Sequence, residues 1–231
     1  MDRELLFEHA TGSLLTVSGT ARLFPVHRVY CVGRNYSAHA REMGHSGREA
    51  PFFFAKPPDA PTQRATVAFP PVTADLHHEV ELVAALGEGG HNIPETDALR
   101  HVFGYAVGVD LTRRDLQAEA KKQGRPWDVA KGFDGSAPMS VIHPAAEVGH
   151  PASGRIELAV DGETRQRGDL ADMIWSVAGI IAELSRYFEL RAGDLVFTGT
   201  PEGVGPLVPE ATVVCSIAGV AEHRFSLGAR L

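Results

Sequence analysis

The chain has 231 residues, 44% of them hydrophobic and 22% charged, and a net charge of −7. That is the make-up of one large domain, or of a small domain plus an appendage, with ample material for a core. It excludes a basic nucleic-acid footprint, and no apolar run approaches the roughly 20 residues that span a bilayer.

The first residues, MDRELLFEHATGS, are acidic and lack a signal-peptide core, so the expected location is cytoplasmic. Residues 1–23 read as a small N-terminal extension, and 24–231 as the main domain. Residues 28–32 (RVYCV) form an expected buried strand ending at Gly33. Residues 36–43 suggest a short helix, followed by the polar stretch GHSGREAP, expected to move. Strands are expected at 52–55 and 79–86, and at 105–109, where an apolar run stops on Asp110. Thr112 and Asp115 suggest a capping box for a helix to about Lys122, stopped by Gly124 and Pro126. Ile156, Leu158 and Val160 alternate into Asp161-Gly162, a hairpin-turn signal. Ile174, Val177, Ile181, Leu184 and Phe188 mark one face of an amphipathic helix. Strands at 195–197 and 213–217 flank a glycine-containing loop. Many short strands with two sizeable helices predict a β-rich α+β fold rather than alternating βαβ units. Cys31 and Cys215 lie in strand-like runs without metal spacing and are expected as buried thiols.

Several chemistries are missing their signatures. FTGTPEGVGPL is wrongly spaced for a phosphate loop, HHEVEL has Leu82 where a zinc protease needs its second His, and no G-x-S-x-G elbow occurs. Oxygen donors remain. In DLHHEVELVAAL, His77, Glu79 and Glu81 share one strand face, which is either the wet face of an edge strand or a row that holds a cation. Asp110 ends an apolar strand, as a cap or as a further ligand. Three carboxylates without Cys suit Mg²⁺ or Mn²⁺ better than zinc. His39 and Glu42, three apart, form either a solvated ion pair or a base oriented by a carboxylate. Lys131, in DVAKGFD, is either a snorkelling surface lysine or part of the site.

The ordered blocks GRNYSAHARE, FFFAKPPDA, DLHHEVELV, GYAVGVDLTRRDLQAEAKKQGRPWDVAKGFD and DLVFTGTPEGVG resemble the fumarylacetoacetate hydrolase family from about residue 24 onward. The likeness extends to its short bacterial members that act on acylpyruvates, and FPVHRVYCVGRNYSAHAREMG is similar to fumarylpyruvate hydrolases. The resemblance implies a mixed β-sandwich roll with a few flanking helices, a homodimer, and a divalent metal (Mg²⁺ or Mn²⁺) on Glu79, Glu81 and Asp110. It implies a His39–Glu42 dyad on a lid and Lys131 as the cation beside the reacting oxygens. Arg114, Gln117 and Thr200 fall on positions that approach substrate. Longer members supply a further carboxylate before the dyad His; CVGRNY contains none, so three protein ligands are expected. A second departure is Ala55 before Lys56, where a larger apolar residue is usual.

The reaction so implied is hydrolysis of the carbon–carbon bond of an acylpyruvate, fumarylpyruvate to fumarate and pyruvate, in gentisate-type aromatic catabolism. Rival readings on the same residues are oxaloacetate decarboxylation, isomerisation of a dienoic diacid, and non-catalytic binding of an oxo-acid. A distal substrate carboxylate would require a cation, and Arg34, Arg41, Arg48 and Arg113 are the candidates.

Overall fold

The computed structural model describes residues 12–36 and 50–230. Two sheets dominate. A six-stranded sheet runs in the order His143–Pro144, Val102–Val109, Val80–Leu86, Leu195–Phe197, Val29–Gly33, Phe52–Lys56. Its neighbours are antiparallel except for the parallel pair Leu195–Phe197 and Val29–Gly33. A five-stranded sheet runs Glu163–Asp169, Arg155–Val160, Thr212–Ile217, Ala221–Leu227, Thr66–Val67. With only two helices longer than four residues among the described residues, Arg114–Gln123 and Val177–Tyr187, the fold is the strand-rich α+β roll that the resemblance implied.

Side chains alternate across a strand, so each strand of the six-stranded sheet feeds two apolar layers. Val80, Leu82 and Ala84 face the five-stranded sheet, meeting Ile156, Leu158, Val213 and Phe225, with Ile180, Ile181 and Leu184 of the long helix closing that layer. Val83 and Ala85 face the other way, onto Leu15, Phe24, Val29, Met139 and Phe197. Strand Leu14–Thr16 pairs with Leu23–Pro25, and Leu15, Val17 and Phe24 enter this second layer. Both faces of Val80–Leu86 are therefore buried.

Local signals hold where the cause is local. Asp161 and Gly162 adopt φ of 52° and 86°, the mirror-image turn expected between the paired strands Arg155–Val160 and Glu163–Asp169. Gly124 ends its helix with φ 64°. Ser176 accepts from Gly179 N at 3.0 Å and caps the long helix. The capping box at Thr112 does not form. Thr112 lies in a two-residue strand and its hydroxyl donates to the Asp110 carbonyl. Asp115 instead accepts from Thr73 Oγ1 at 2.7 Å and Ala74 N at 2.8 Å, as well as from the adjacent Leu116 N at 2.9 Å, so tertiary partners share the carboxylate with the helix. Ile174 and Phe188 fall outside the long helix; Phe188 packs against Tyr30 at a tilt, with centroids 5.1 Å apart. Cys31 and Cys215 are free and buried. Residues 37–43 of the expected helix, and GHSGREAP up to residue 49, lie outside the described residues. Among the described residues no helix is long and apolar enough to cross a membrane.

Candidate active site

Strand register assembles the carboxylates. Val80 pairs with Val109 and Glu81 with Gly108, and Asp110 N donates to the Glu79 carbonyl at 2.8 Å. Asp110 thus stands opposite Glu79, and Glu79, Glu81 and Asp110 leave one face of the sheet. The position facing Glu81 must be bare: a Cβ on Gly108 would come within 2.7 Å of Phe197 Cε1 and 2.8 Å of Val83 Cγ2. One oxygen from each carboxylate lies within 4.8 Å of the others. Relative exposures of 8%, 2% and 0% for Glu79, Glu81 and Asp110 rule out the wet-face reading.

Buried charge is costly without partners, and cations surround the cluster. Lys131, 2% exposed and so no surface lysine, donates from Nζ to Glu79 Oε2 at 2.8 Å and to Asp110 Oδ2 at 2.6 Å. Arg114 donates to Glu79 Oε1 and, at 2.6 Å, to Gln117 Oε1. Lys56 is equally buried; its Nζ lies 2.8 Å from Asp110 Oδ1, outside hydrogen-bond alignment, and donates to the Lys131 carbonyl. Sequence reading missed Lys56 as a site residue. The available signal was its place on the Phe52–Lys56 strand, where it shares a face with Phe54 and Phe52.

These contacts divide the carboxylates. Burial alone would raise the pKa of Glu79, but Lys131 and Arg114 hold it down to about 2. Burial pushes Glu81 well above the carboxylate range, and anionic Asp110 and Glu79 push it further. Lys131 is raised: burial works against its charge, and Asp110 and Glu79 outweigh it. Glu81 accepts from Gly199 N at 2.7 Å and meets no Lys or Arg among the described residues. A carboxylate buried without a cation, beside an Asp110 Oδ1 without an aligned donor, suits a divalent ion. With an all-oxygen donor set, the residues fit Mg²⁺ or Mn²⁺.

Two buried amides hold the surroundings. Gln166 accepts from Val80 N at 3.0 Å, pairs with His78 Nδ1 at 2.9 Å, and donates to Thr200 Oγ1 at 2.8 Å and the Pro201 carbonyl at 3.0 Å. It therefore pins both neighbours of Glu79 and the Thr200 loop to the second sheet. Asn35 donates to the Trp175 and Thr198 carbonyls at 2.9 and 2.7 Å and accepts from Trp175 N at 2.7 Å. That anchorage holds Arg34 at φ 62°, an unfavourable angle for a residue with a side chain. No local sequence pattern marks either amide.

Glu79 and Glu81 line a cleft of about 420 Å³ at one end of the six-stranded sheet. Arg34, Arg114, Gln117, Lys131 and Thr200 line it too, together with His77 and Lys121. Arg113 does not: its Nη1 donates to the Val129 carbonyl at 3.0 Å and its guanidinium lies over Phe133. His39, Glu42, Arg41 and Arg48 lie outside the described residues.

A profile of the fumarylacetoacetate (FAA) hydrolase C-terminal region matches residues 28–227. The chain belongs to the fumarylacetoacetate hydrolase family. The crystal structure of fumarylpyruvate hydrolase from Pseudomonas aeruginosa in complex with Mn²⁺ and pyruvate matches this family member with a TM-score of 0.93 at 50% identity. That match covers 98% of this chain and 100% of the other. Oxaloacetate tautomerase of Escherichia coli (strain K12) is 46% identical over 186 residues, 80% of this chain and 85% of the relative. Fumarylpyruvate hydrolase of Ralstonia sp is 42% identical over 181 residues, 78% of this chain and 94% of the relative. The fumarylacetoacetate hydrolase fold of this chain thus has close relatives with two different activities.

Proposed function

We propose that this chain hydrolyses the carbon–carbon bond of an acylpyruvate, converting fumarylpyruvate to fumarate and pyruvate, with Mg²⁺ or Mn²⁺ as cofactor. The observation that carries the reading is a cluster of three buried carboxylates, two of which line a cleft whose remaining charged walls are cationic. Buried carboxylates suit a divalent ion, and cationic walls suit an anionic substrate.

Glu79, Glu81 and Asp110 would hold the ion, which supplies a Lewis-acid centre for the carboxylate and 2-oxo group of the substrate. Arg114, Gln117, Thr200 and Arg34 orient the bound oxo-acid. His39, oriented by Glu42, takes a proton from the water that adds to the C4 carbonyl. The C3–C4 bond then breaks, its electron pair passing into the enolate of pyruvate, and Lys131 stabilises the charge on the enolate oxygen. Protonation at C3 releases pyruvate beside the carboxylic acid of the acyl group. Aromatic catabolism, as a source of acylpyruvates, is the metabolic setting in this proposal. A homodimer belongs to it as well, supported by exposed Tyr187 and Phe188 near the outer edge of the six-stranded sheet. Sedimentation of the chain as a monomer at micromolar concentration would remove the dimer.

The 46% identity to an oxaloacetate tautomerase favours a second reading, in which the same cations stabilise an oxaloacetate enolate and no water attacks. The deciding test offers fumarylpyruvate, acetylpyruvate and oxaloacetate to the Mn²⁺-loaded protein, following enol absorbance and identifying products by mass. Fumarate and pyruvate are expected. Intact fumarylpyruvate alongside accelerated enol–keto exchange of oxaloacetate would overturn the hydrolase reading.

A further inference from the structure

One wall of the cleft is aromatic. The Phe54 and Trp127 centroids are 5.9 Å apart, and Phe52 meets Trp127 edge-on at 5.0 Å. A cation sits over each of two rings: Lys131 Nζ lies 4.9 Å from the centre of Phe54, and Lys121 Nζ lies 5.1 Å from that of Trp127. Lys131 is engaged by Glu79 and Asp110. Lys121 makes no ion pair with a carboxylate among the described residues.

Helix Arg114–Gln123 sets the spacing. Arg114, Gln117 and Lys121 fall at i, i+3 and i+7, on one face, and all three line the cleft. Arg114 touches Glu79, so this face leads away from the carboxylates, and Lys121 stands about 10 Å along the axis from Arg114. Lys121 stands at the solvent-exposed side of the cleft, where partial desolvation lowers its pKa and nearby Arg114 and Arg34 lower it further, with Glu79 a partial offset. An anion from outside would relieve that crowding of like charge.

We infer that Lys121 anchors the second carboxylate of a flat, unsaturated diacid whose oxo-acid end sits at Glu79, Glu81 and Asp110. Phe52, Phe54 and Trp127 form the wall against its planar middle. The identity of the oxo-acid end rests on the acylpyruvate reading; the distal subsite rests on Lys121 and the aromatic wall. A charge-assisted contact of this kind distinguishes a diacid from an acyl group ending in methyl, which offers Lys121 nothing. Arginine at the same position would keep both the charge and the stacking on Trp127.

The test uses two 2-oxo acids without the scissile β-diketone, 2-oxoheptanedioate and 2-oxoheptanoate, titrated calorimetrically into the Mn²⁺-loaded protein. The wild type should favour the diacid at least tenfold. Lys121→Met should bring the ratio to within threefold of unity, and Lys121→Arg should restore it. Lys122→Met, which removes a neighbouring charge that does not line the cleft, should keep the wild-type ratio. No diacid preference in the wild type, a preference that survives Lys121→Met, or an equal loss in Lys122→Met would each overturn the subsite. Fumarylpyruvate cleavage is measured on the same preparations. Diacid preference without cleavage overturns the hydrolase reading and supports the subsite, whereas cleavage without diacid preference overturns the subsite alone.

Discussion

Glu79 and Glu81 stand two positions apart, both buried, one bound to Lys131 and Arg114 and the other to a single backbone N–H. Their amide substitutions should separate stability from metal binding. In metal-free protein, Glu79→Gln leaves Lys131 and Arg114 short of a counter-charge and should cost on the order of 3 kcal/mol. Glu81→Gln replaces a carboxyl group that has no cationic partner and that burial already holds toward its neutral form, so the metal-free fold should be as stable as wild type or more so. Both should lose turnover and Mn²⁺ affinity. Urea unfolding in EDTA checks this, and equal destabilisation by the two substitutions would refute the asymmetry. His223 gives a pH prediction remote from the site. It stacks on Phe225 with centroids 5.6 Å apart, its Nε2 has no partner, and burial lowers its pKa. A folded pKa below the unfolded value of about 6.5 favours the neutral ring. Its contribution is complete above the unfolded pKa and is lost as pH falls through the folded one. Wild type should therefore lose more stability than His223→Phe between pH 7.5 and pH 5; parallel denaturation curves would contradict this.

At the scale of elements, the site depends on where chain segments approach one another. Gly199 has φ 96°, and a Cβ there would lie 2.7 Å from Asn35 Cβ. Gly199→Ala should push this loop away from Asn35 and move the N–H that Glu81 accepts. The expected result is weaker Mn²⁺ binding together with a stability loss of about 1–3 kcal/mol. Isothermal titration and thermal unfolding report on the two, and wild-type Mn²⁺ affinity would show that the loop position is unimportant. Gln166→Leu keeps the volume but strips Val80 N and His78 of their acceptor. A buried unpaired group costs roughly 1–3 kcal/mol, so unfolding should come earlier and kcat should fall as the strands around Glu79 loosen. An unaltered kcat would limit Gln166 to stability alone. Elements were legible where one segment decides its own geometry, as in the Asp161-Gly162 turn, Gly124 and the run 195–197. They were illegible where a partner intervened. The helix Arg114–Gln123 was legible, with Asp115 in its first turn; its capping box was not, because Thr73 and Ala74 share the Asp115 carboxylate with Leu116 N.

At the scale of the molecule, the metal should couple to folding, because the three carboxylates converge only when the ladder of Val80–Leu86 with Val102–Val109 has formed. Protein stripped with EDTA should gain about 2.7 kcal/mol when Mn²⁺ is supplied at about a hundred times its dissociation constant. Glu81→Gln at the same Mn²⁺ concentration should gain far less. An unfolding midpoint that Mn²⁺ leaves unmoved would exclude the cluster as a metal site.

Alternation and spacing were enough to place Glu79 and Glu81 on one face, to single out Asp110 at the end of an apolar strand, and to describe a β-rich chain with two main helices. Their ordered blocks carried the family. These follow from periodicity and chain order, which are properties of a single sequence. Tertiary structure decided that the glutamate row is buried, because the same strand face continues through Val83 and Ala85 into a second apolar layer. It also decided that Lys56 joins the site, that Gln166 and Asn35 hold it in place, and that Arg113 turns away while Lys121 lines the cleft. Each of these outcomes depends on residues tens of positions apart meeting across strands and loops, and the register of a sheet, not the spacing within a strand, determines which of them meet.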